Sequence, residues 1–366
     1  MLWGERLSGY SLSGYSLSDV GLPDHGPSND GLDRLVERVQ RVDASVADQL
    51  SESVARYQRP LTVQVAGRAG TGRSSVIRAL LAGRAEPFGF DPVESDPVDS
   101  PATPDPTLDG DLVLYVLAAS MHPADRAAVR AIPVGHGLVV LNKADAVGAS
   151  LATVLARENE CTDALGVRTL PLVAITAASS AVTPAELAML RNCADGDPAL
   201  LERWGTFGVG IAIDVLRRNP QTSARTLTQI LAAASGASGL QTAFERQRRQ
   251  AQALRGARLI DDLERLATRA LEGAARDEIE HFLRSDVAAQ IGLVGAWASP
   301  GIAAVVGEHE LADPVDDEQA LQLARWWRGF ADAGDTRSDP TGAGKRAALR
   351  IHHGYVRSWA RAVRDD

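Results

Sequence analysis

The chain has 366 residues, a formal net charge of −9 and a 45% hydrophobic share. That length accommodates two domains, and the acidic balance excludes bulk nucleic-acid binding as the main role. Two cysteines, Cys161 and Cys193, lack the paired spacing of a disulfide framework and fit a reducing cytoplasm, and the opening Met1-Leu-Trp-Gly-Glu-Arg does not read as a signal peptide.

Residues 1–29 carry a short repeat, Leu7-Ser-Gly-Tyr-Ser-Leu-Ser-Gly-Tyr-Ser-Leu17, which buries too little apolar surface to order itself. Asn29 and Asp30 can cap a helix. Leu32, Leu35, Val36, Val39, Val42, Val46 and Leu50 recur at spacings of three and four, which predicts one amphipathic helix over 31–57, ended by Pro60. Such a helix needs a partner, and the C-terminal helices are the expected one.

Leu61-Thr-Val-Gln-Val-Ala66 reads as a buried strand. Gly67-Arg-Ala-Gly-Thr-Gly-Arg-Ser74 comes next and leads into an apolar helix beginning at Ser75 and running to Ala82. Glycines at 67, 70 and 72 allow backbone N–H groups to turn inward as an anion nest, and the helix N-terminus, opened by Ser74 and Ser75, adds its positive end. The interval 83–110 carries prolines at 87, 92, 97, 101, 104 and 106, which exclude a long central strand. Strands at 111–118 and 137–142 alternate with helices at 123–131 and 149–165. The strand at 137–142 ends in Asn142-Lys143-Ala144-Asp145. The chain has 36 arginines and two lysines, and one of the two is Lys143. That Arg-rich, Lys-poor usage suggests a high-GC bacterial coding sequence. A strand over 169–175, continuing as Val173-Ala-Ile-Thr-Ala-Ala178, a helix over 184–193 and a last strand over 207–213 complete a parallel sheet covered on both faces.

From about 215 onward the pattern is helical. Helices are expected over 223–235, over 237–285 as one or two in line, over 317–333 and over 344–363, with Trp326, Trp327 and Trp359 as core aromatics. Arginines 246, 248, 249, 255 and 258 read as a solvated helix face, since residues 201–366 are neutral overall. Residues 292–307 form the most apolar run. Broken by Pro300-Gly301, the run is too short to span a bilayer, and a buried turn is favoured over a lipid-touching hairpin. His352 and His353 are adjacent, so they cannot share one helix face as metal ligands.

The glycine loop between strand and helix, the apolar run ending in Asn142-Lys143-Ala144-Asp145, and Thr176-Ala177 together resemble the G domain of P-loop GTPases, the class of small G proteins, translation GTPases and dynamins. The resemblance covers about residues 60–180. It implies a guanine-nucleotide site for GTP or GDP with Mg²⁺. Gly67, Gly70, Gly72, Arg73, Ser74 and Ser75 would hold phosphate, with the Ser74 hydroxyl on the metal. Asn142 would brace the loop, the Lys143 stem would lie along the base, and Asp145 would read the guanine ring N–H and amine. A backbone N–H at Thr176-Ala177 would meet guanine O6.

Two departures stand out. Arg73 occupies the place of the family's lysine; it is cationic but bulkier. No Asp-x-x-Gly occurs in 83–110, where the family positions its attacking water, and none of Asp99, Asp105, Asp109, Thr103 or Thr107 is a convincing substitute. Weak or absent hydrolysis and near-equal affinity for GDP and GTP are therefore expected. The domain limits expected are 1–29 disordered, 30–58 a helix, 59–214 a G domain and 215–366 helical. The layout resembles bacterial dynamin-like proteins in outline and is much shorter. A protein partner or self-association would use the helical domain. The alternative is a pseudo-GTPase scaffold that binds no nucleotide. An ATP-dependent kinase fits poorly, because Asp145 reads guanine.

Overall fold

The computed structural model describes residues 29–82, 89–147, 151–179, 181–192, 197–270, 273–302, 317–333 and 342–365. The repeat at 7–17 and Cys193 lie outside them.

Five parallel strands form one sheet: β1 (Leu61–Gly67), β2 (Phe90–Glu94), β3 (Leu112–Leu117), β4 (Gly137–Asn142) and β5 (Thr169–Leu172), in the order β2-β1-β3-β4-β5. Side chains alternate across it with the period of two that a strand imposes. On one face Leu61, Val63, Val65, Leu112, Leu114, Val116, Leu138 and Val140 pack on Val76, Ala79 and Leu80 of α3 (Arg73–Leu81). On the other, Ala66, Val113, Tyr115, Leu117, Val139 and Leu141 meet Val129 of α4 (Pro123–Ala131) and Cys161 and Leu165 of α5 (Leu151–Leu165). Helices thus cover both faces, which is what a parallel sheet of unbroken apolar strands requires.

The prolines of 83–110 do exclude a central strand, yet they leave room for β2. It is five residues long, sits at the sheet edge and contains Pro92, a position that tolerates a missing N–H.

Three expected elements differ. Val173–Ala178 is not strand: β5 ends at Leu172 and a single turn, α6 (Ala174–Ala177), succeeds it. Residues 207–213 are not strand either. They lie in α8 (Pro198–Arg218), which comes after α7 (Pro184–Asn192) and is kinked at Gly205 (φ 69, ψ 172). Glycine at 208 fits helix packing, because a Cβ there would lie 2.9 Å from Thr176 Cγ2. The helix expected over 31–57 is two, α1 (Asn29–Gln40) and α2 (Ala44–Gln58), because the Asp43 side chain accepts from Val46 N–H and caps a new start.

The chain divides into two compact units. One runs from Pro60 to Ala251 and holds the sheet, α9 (Ala224–Ala234) and the first part of α10 (Ala237–Arg269), so it extends past the expected limit at 214. The other joins the residues up to Arg59 to those from Gln252 onward. In that unit Leu32, Leu35, Val39, Leu50 and Val54 of α1 and α2 pack with Leu259, Leu263, Ile279 and Ile291 of α10, α11 (Gly273–Leu283) and α12 (Asp286–Trp297). A smaller core unites Trp297, Ile302, Trp327, Ile351 and Tyr355, drawing on α13 (Asp317–Ala333) and α14 (Ala343–Asp365). Trp327 is buried, while Trp326 and Trp359 are half-buried. Residues 303–307 of the apolar run fall outside the described residues. Among those described, no helix is long and apolar enough to cross a membrane.

Candidate functional site

In the order β2-β1-β3-β4-β5 the chain leaves β1 toward one sheet edge and β3 toward the other. Crevices of open parallel sheets form at the carboxyl ends of the strands where the order diverges in this way. The glycine loop of residues 67–72 lies there, directly after β1. Gly67 (φ 149), Gly70 (φ 75) and Gly72 (φ 89) all have positive φ. A Cβ on Gly67 would stand 2.4 Å from Val116 O, and one on Gly72 would stand 2.5 Å from Asn142 Nδ2. Both positions therefore exclude a side chain on two grounds, conformation and space.

Gly72 is the N-cap of α3, and no side chain caps that helix. The first helical bond runs from Val76 N–H to Gly72 O at 3.0 Å. The amides of Arg73, Ser74 and Ser75 precede it and are left over for an anion.

Asn142, 3% exposed, ends β4 and ties three loops together. Its Nδ2 donates to Thr71 O at 2.8 Å, and its Oδ1 accepts from Ala174 N–H at 3.0 Å. Lys143 holds the left-handed conformation (φ 58) that a non-glycine residue seldom adopts, and its Nζ donates to Gly70 O at 2.8 Å. Asp145 sits in a short 3₁₀ turn, Ala144–Ala146, with its carboxylate exposed and without a hydrogen-bond partner among the described residues. Residues 70–72 and 142–145, far apart in sequence, are one assembly.

Thr176 and Ala177 face the interior. The Thr176 hydroxyl donates to Trp204 O at 2.6 Å, the carbonyl freed by the kink at Gly205. Ala177 N–H donates to Val173 O at 3.0 Å. Ser179 Oγ donates to Arg203 O at 2.9 Å, so α6 is fixed to the kink of α8.

Arg73, expected at the phosphates, and the Ser74 hydroxyl, expected on the metal, both contact the end of β2 and the residue after it. Arg73 Nη1 donates to Ser95 O at 2.6 Å, and its Nε lies 3.4 Å from Glu94 Oε1. Ser74 Oγ donates to Glu94 Oε2 at 2.7 Å. Glu94 is the site residue that the sequence conceals, since it closes a five-residue edge strand in a proline-rich interval. Beyond it, Ser95 N–H donates to Val65 O and Val98 N–H to Gly67 O, both at 3.1 Å, so the segment lies beside the glycine loop. Asp105 Oδ1 accepts from Asp99 N–H at 2.7 Å and Thr107 O accepts from Gln64 Nε2 at 2.8 Å; these groups pin the segment itself.

The uncapped start of α3 leaves backbone amides that can receive an anion. Ser74 with Glu94 offers oxygen ligands suited to Mg²⁺, although no cluster of three or more His, Cys, Asp or Glu side chains occurs among the described residues. Comparison of the chain with protein-family models and with curated proteins gives no match to either.

Proposed function

We propose that the sheet unit binds a guanine nucleotide at the carboxyl ends of β1 and β4, in the manner of a P-loop GTPase G domain. Hydrolysis is slow or absent, and occupancy is passed to a protein partner or a second copy through the helical unit. The observation that carries this reading is the linkage of Asn142-Lys143-Ala144-Asp145 to the glycine loop. Asn142 Nδ2 holds Thr71 O and Lys143 Nζ holds Gly70 O, while the Asp145 carboxylate has no partner among the described residues. A base-reading carboxylate and a phosphate cradle must lie a fixed distance apart to grip one nucleotide, and these bonds set that distance.

The loop amides and the start of α3 would take the α- and β-phosphates. Ser74 and Glu94 would hold Mg²⁺, which when bound neutralises phosphate charge. Asp145 would accept from the guanine ring N–H and amine, donors that adenine does not present in that arrangement. Equilibrium titration with fluorescent GDP, GTP, ADP and ATP tests this. Guanine nucleotides should bind and adenine nucleotides should not, and Asp145→Asn should shift preference toward xanthine nucleotides, because the amide exchanges an acceptor for a donor. Equal binding of guanine and adenine nucleotides by the native protein would end the proposal.

A further inference from the structure

We infer that Glu94 and Pro97 make this site selective for a nucleoside diphosphate over the corresponding triphosphate; the inference rests on the nucleotide-binding reading above. A third phosphate reaching past the glycine loop needs positive charge and hydrogen-bond donors that the first two phosphates have not used. Arg73, the cation that opens α3, is 11% exposed at its side chain and is held between Ser95 O and the Glu94 carboxylate; of the other cations at the loop, Lys143 is bonded to Gly70 O and Arg68 acts on Tyr115. The Ser74 hydroxyl donates to the same carboxylate. The guanidinium and the hydroxyl that open α3 are thus both committed to Glu94, which is itself negative.

The backbone beyond β2 supplies little more. The amides of Ser95 and Val98 are spent on Val65 O and Gly67 O. Pro97 has no N–H. Asp96 retains an amide but adds a second carboxylate. A diphosphate lying on the loop amides avoids these acids, whereas a triphosphate brings its extra charge toward them. Like charges within several ångströms at a protein surface repel, and once screening is counted this corresponds to a preference for the diphosphate of about tenfold or more. A divalent cation bridging Glu94 and the phosphates would cancel the effect, so the preference belongs to the metal-free state.

The test is titration of the native protein, Glu94→Gln and Pro97→Gly with fluorescent GDP and GTP, in EDTA and in Mg²⁺, with circular dichroism to confirm that each variant is folded. The native protein should prefer GDP by about tenfold or more in EDTA. Glu94→Gln should bring the two affinities within about threefold, through a gain for GTP. Pro97→Gly restores an N–H and should strengthen GTP while leaving GDP unchanged. Equal affinities in the native protein, or a preference that survives both substitutions, would overturn the inference and leave nucleotide binding intact. Failure of every protein to bind either nucleotide would overturn both readings.

Discussion

Replacing Asn142 with alanine should do more damage than its single amide suggests. The side chain is 3% exposed, and its two bonds run to backbone groups of residues that are themselves buried, Thr71 at 5% and Ala174 at 2%. Alanine leaves a carbonyl and an N–H in the interior with no partner. A buried polar group stranded in this way costs about 1–3 kcal/mol, so the pair should cost about 2–6 kcal/mol. For a unit of this size that corresponds to a fall in Tm of roughly 5–15 °C. The loss should also be local. Amides of the glycine loop and of α6 should exchange with deuterium far faster, while the helices of the other unit keep their protection. Asn142→Asp is the informative control, because it keeps the acceptor for Ala174 N–H and places a carboxylate against Thr71 O. It should be no better than alanine near neutral pH. Lys143→Ala removes an exposed bond to Gly70 O and should cost about 1 kcal/mol or less. Urea unfolding of the three variants, with exchange followed by mass spectrometry, checks the ranking. If Asn142→Ala costs less than about 1 kcal/mol, or leaves exchange in the glycine loop unchanged, Asn142 does not join the loops and the distance argument collapses.

Gly72→Ala should lose about 2 kcal/mol or more and abolish anion binding, since φ is 89 and the new methyl would meet Asn142 Nδ2 at 2.5 Å; an unfolding curve matching the native protein's would contradict it. Tyr115→Phe should cost about 1–3 kcal/mol, measured by urea unfolding, because the phenol donates to the buried Asp125 carboxylate at 2.9 Å. Burial first, and then the Asp125 charge and hydrogen bond, raise the Tyr115 pKa far above its ordinary 10.0. A group raised on folding contributes fully below its unfolded value and loses that contribution as pH climbs toward the folded one. Alkaline titration at the tyrosinate absorbance should therefore leave Tyr115 protonated well past pH 10 until the unit unfolds, and a normal tyrosine titration in the folded protein would refute this. Single-turnover phosphate release from GTP should be very slow or undetectable; a rate typical of GTPases, abolished by Ser74→Ala, would show that the segment after β2 positions water after all.

The parts legible in the sequence are those whose chemistry is local. Apolar runs mark β3 and β4, alternation of apolar with polar residues marks β1, and glycine spacing marks the loop, because these signals lie within a few adjacent residues. The amphipathic stripe over 32–50 identifies the right helical residues but not the break, since Val42 keeps the period while Asp43 restarts the helix. Phe207-Gly-Val-Gly-Ile-Ala-Ile213 alternates like a strand. It is helical because Gly208 lets α8 approach Thr176 of α6 closely, a contact that no single segment reveals. Glu94 is hidden for a related reason. In Phe90-Asp-Pro-Val-Glu94 the strand-disfavouring Asp91 and Pro92 mask Phe90 and Val93; it is a strand because the edge of β1 offers a ladder to pair with.

The two ends of the candidate site are built from different kinds of interaction. Asn142 and Thr176 fix the Asp145 end with neutral hydrogen bonds between buried groups, whose loss leaves orphans on both sides. The Arg73 end is held by the exposed Glu94, through one hydroxyl bond and one ion pair at 3.4 Å that water and salt can replace at small cost, and by the bond from Arg73 to Ser95 O at 2.6 Å. Substitutions there are tolerated by the fold whether or not they preserve ligand chemistry. A lysine in place of Arg73 could not reach both Ser95 O and Glu94 with the geometry of a guanidinium fork. Arginine at 73 and glutamate at 94 are thus mutually consistent: both suit a loop that closes on the end of β2, which is what the proposed preference for a diphosphate requires.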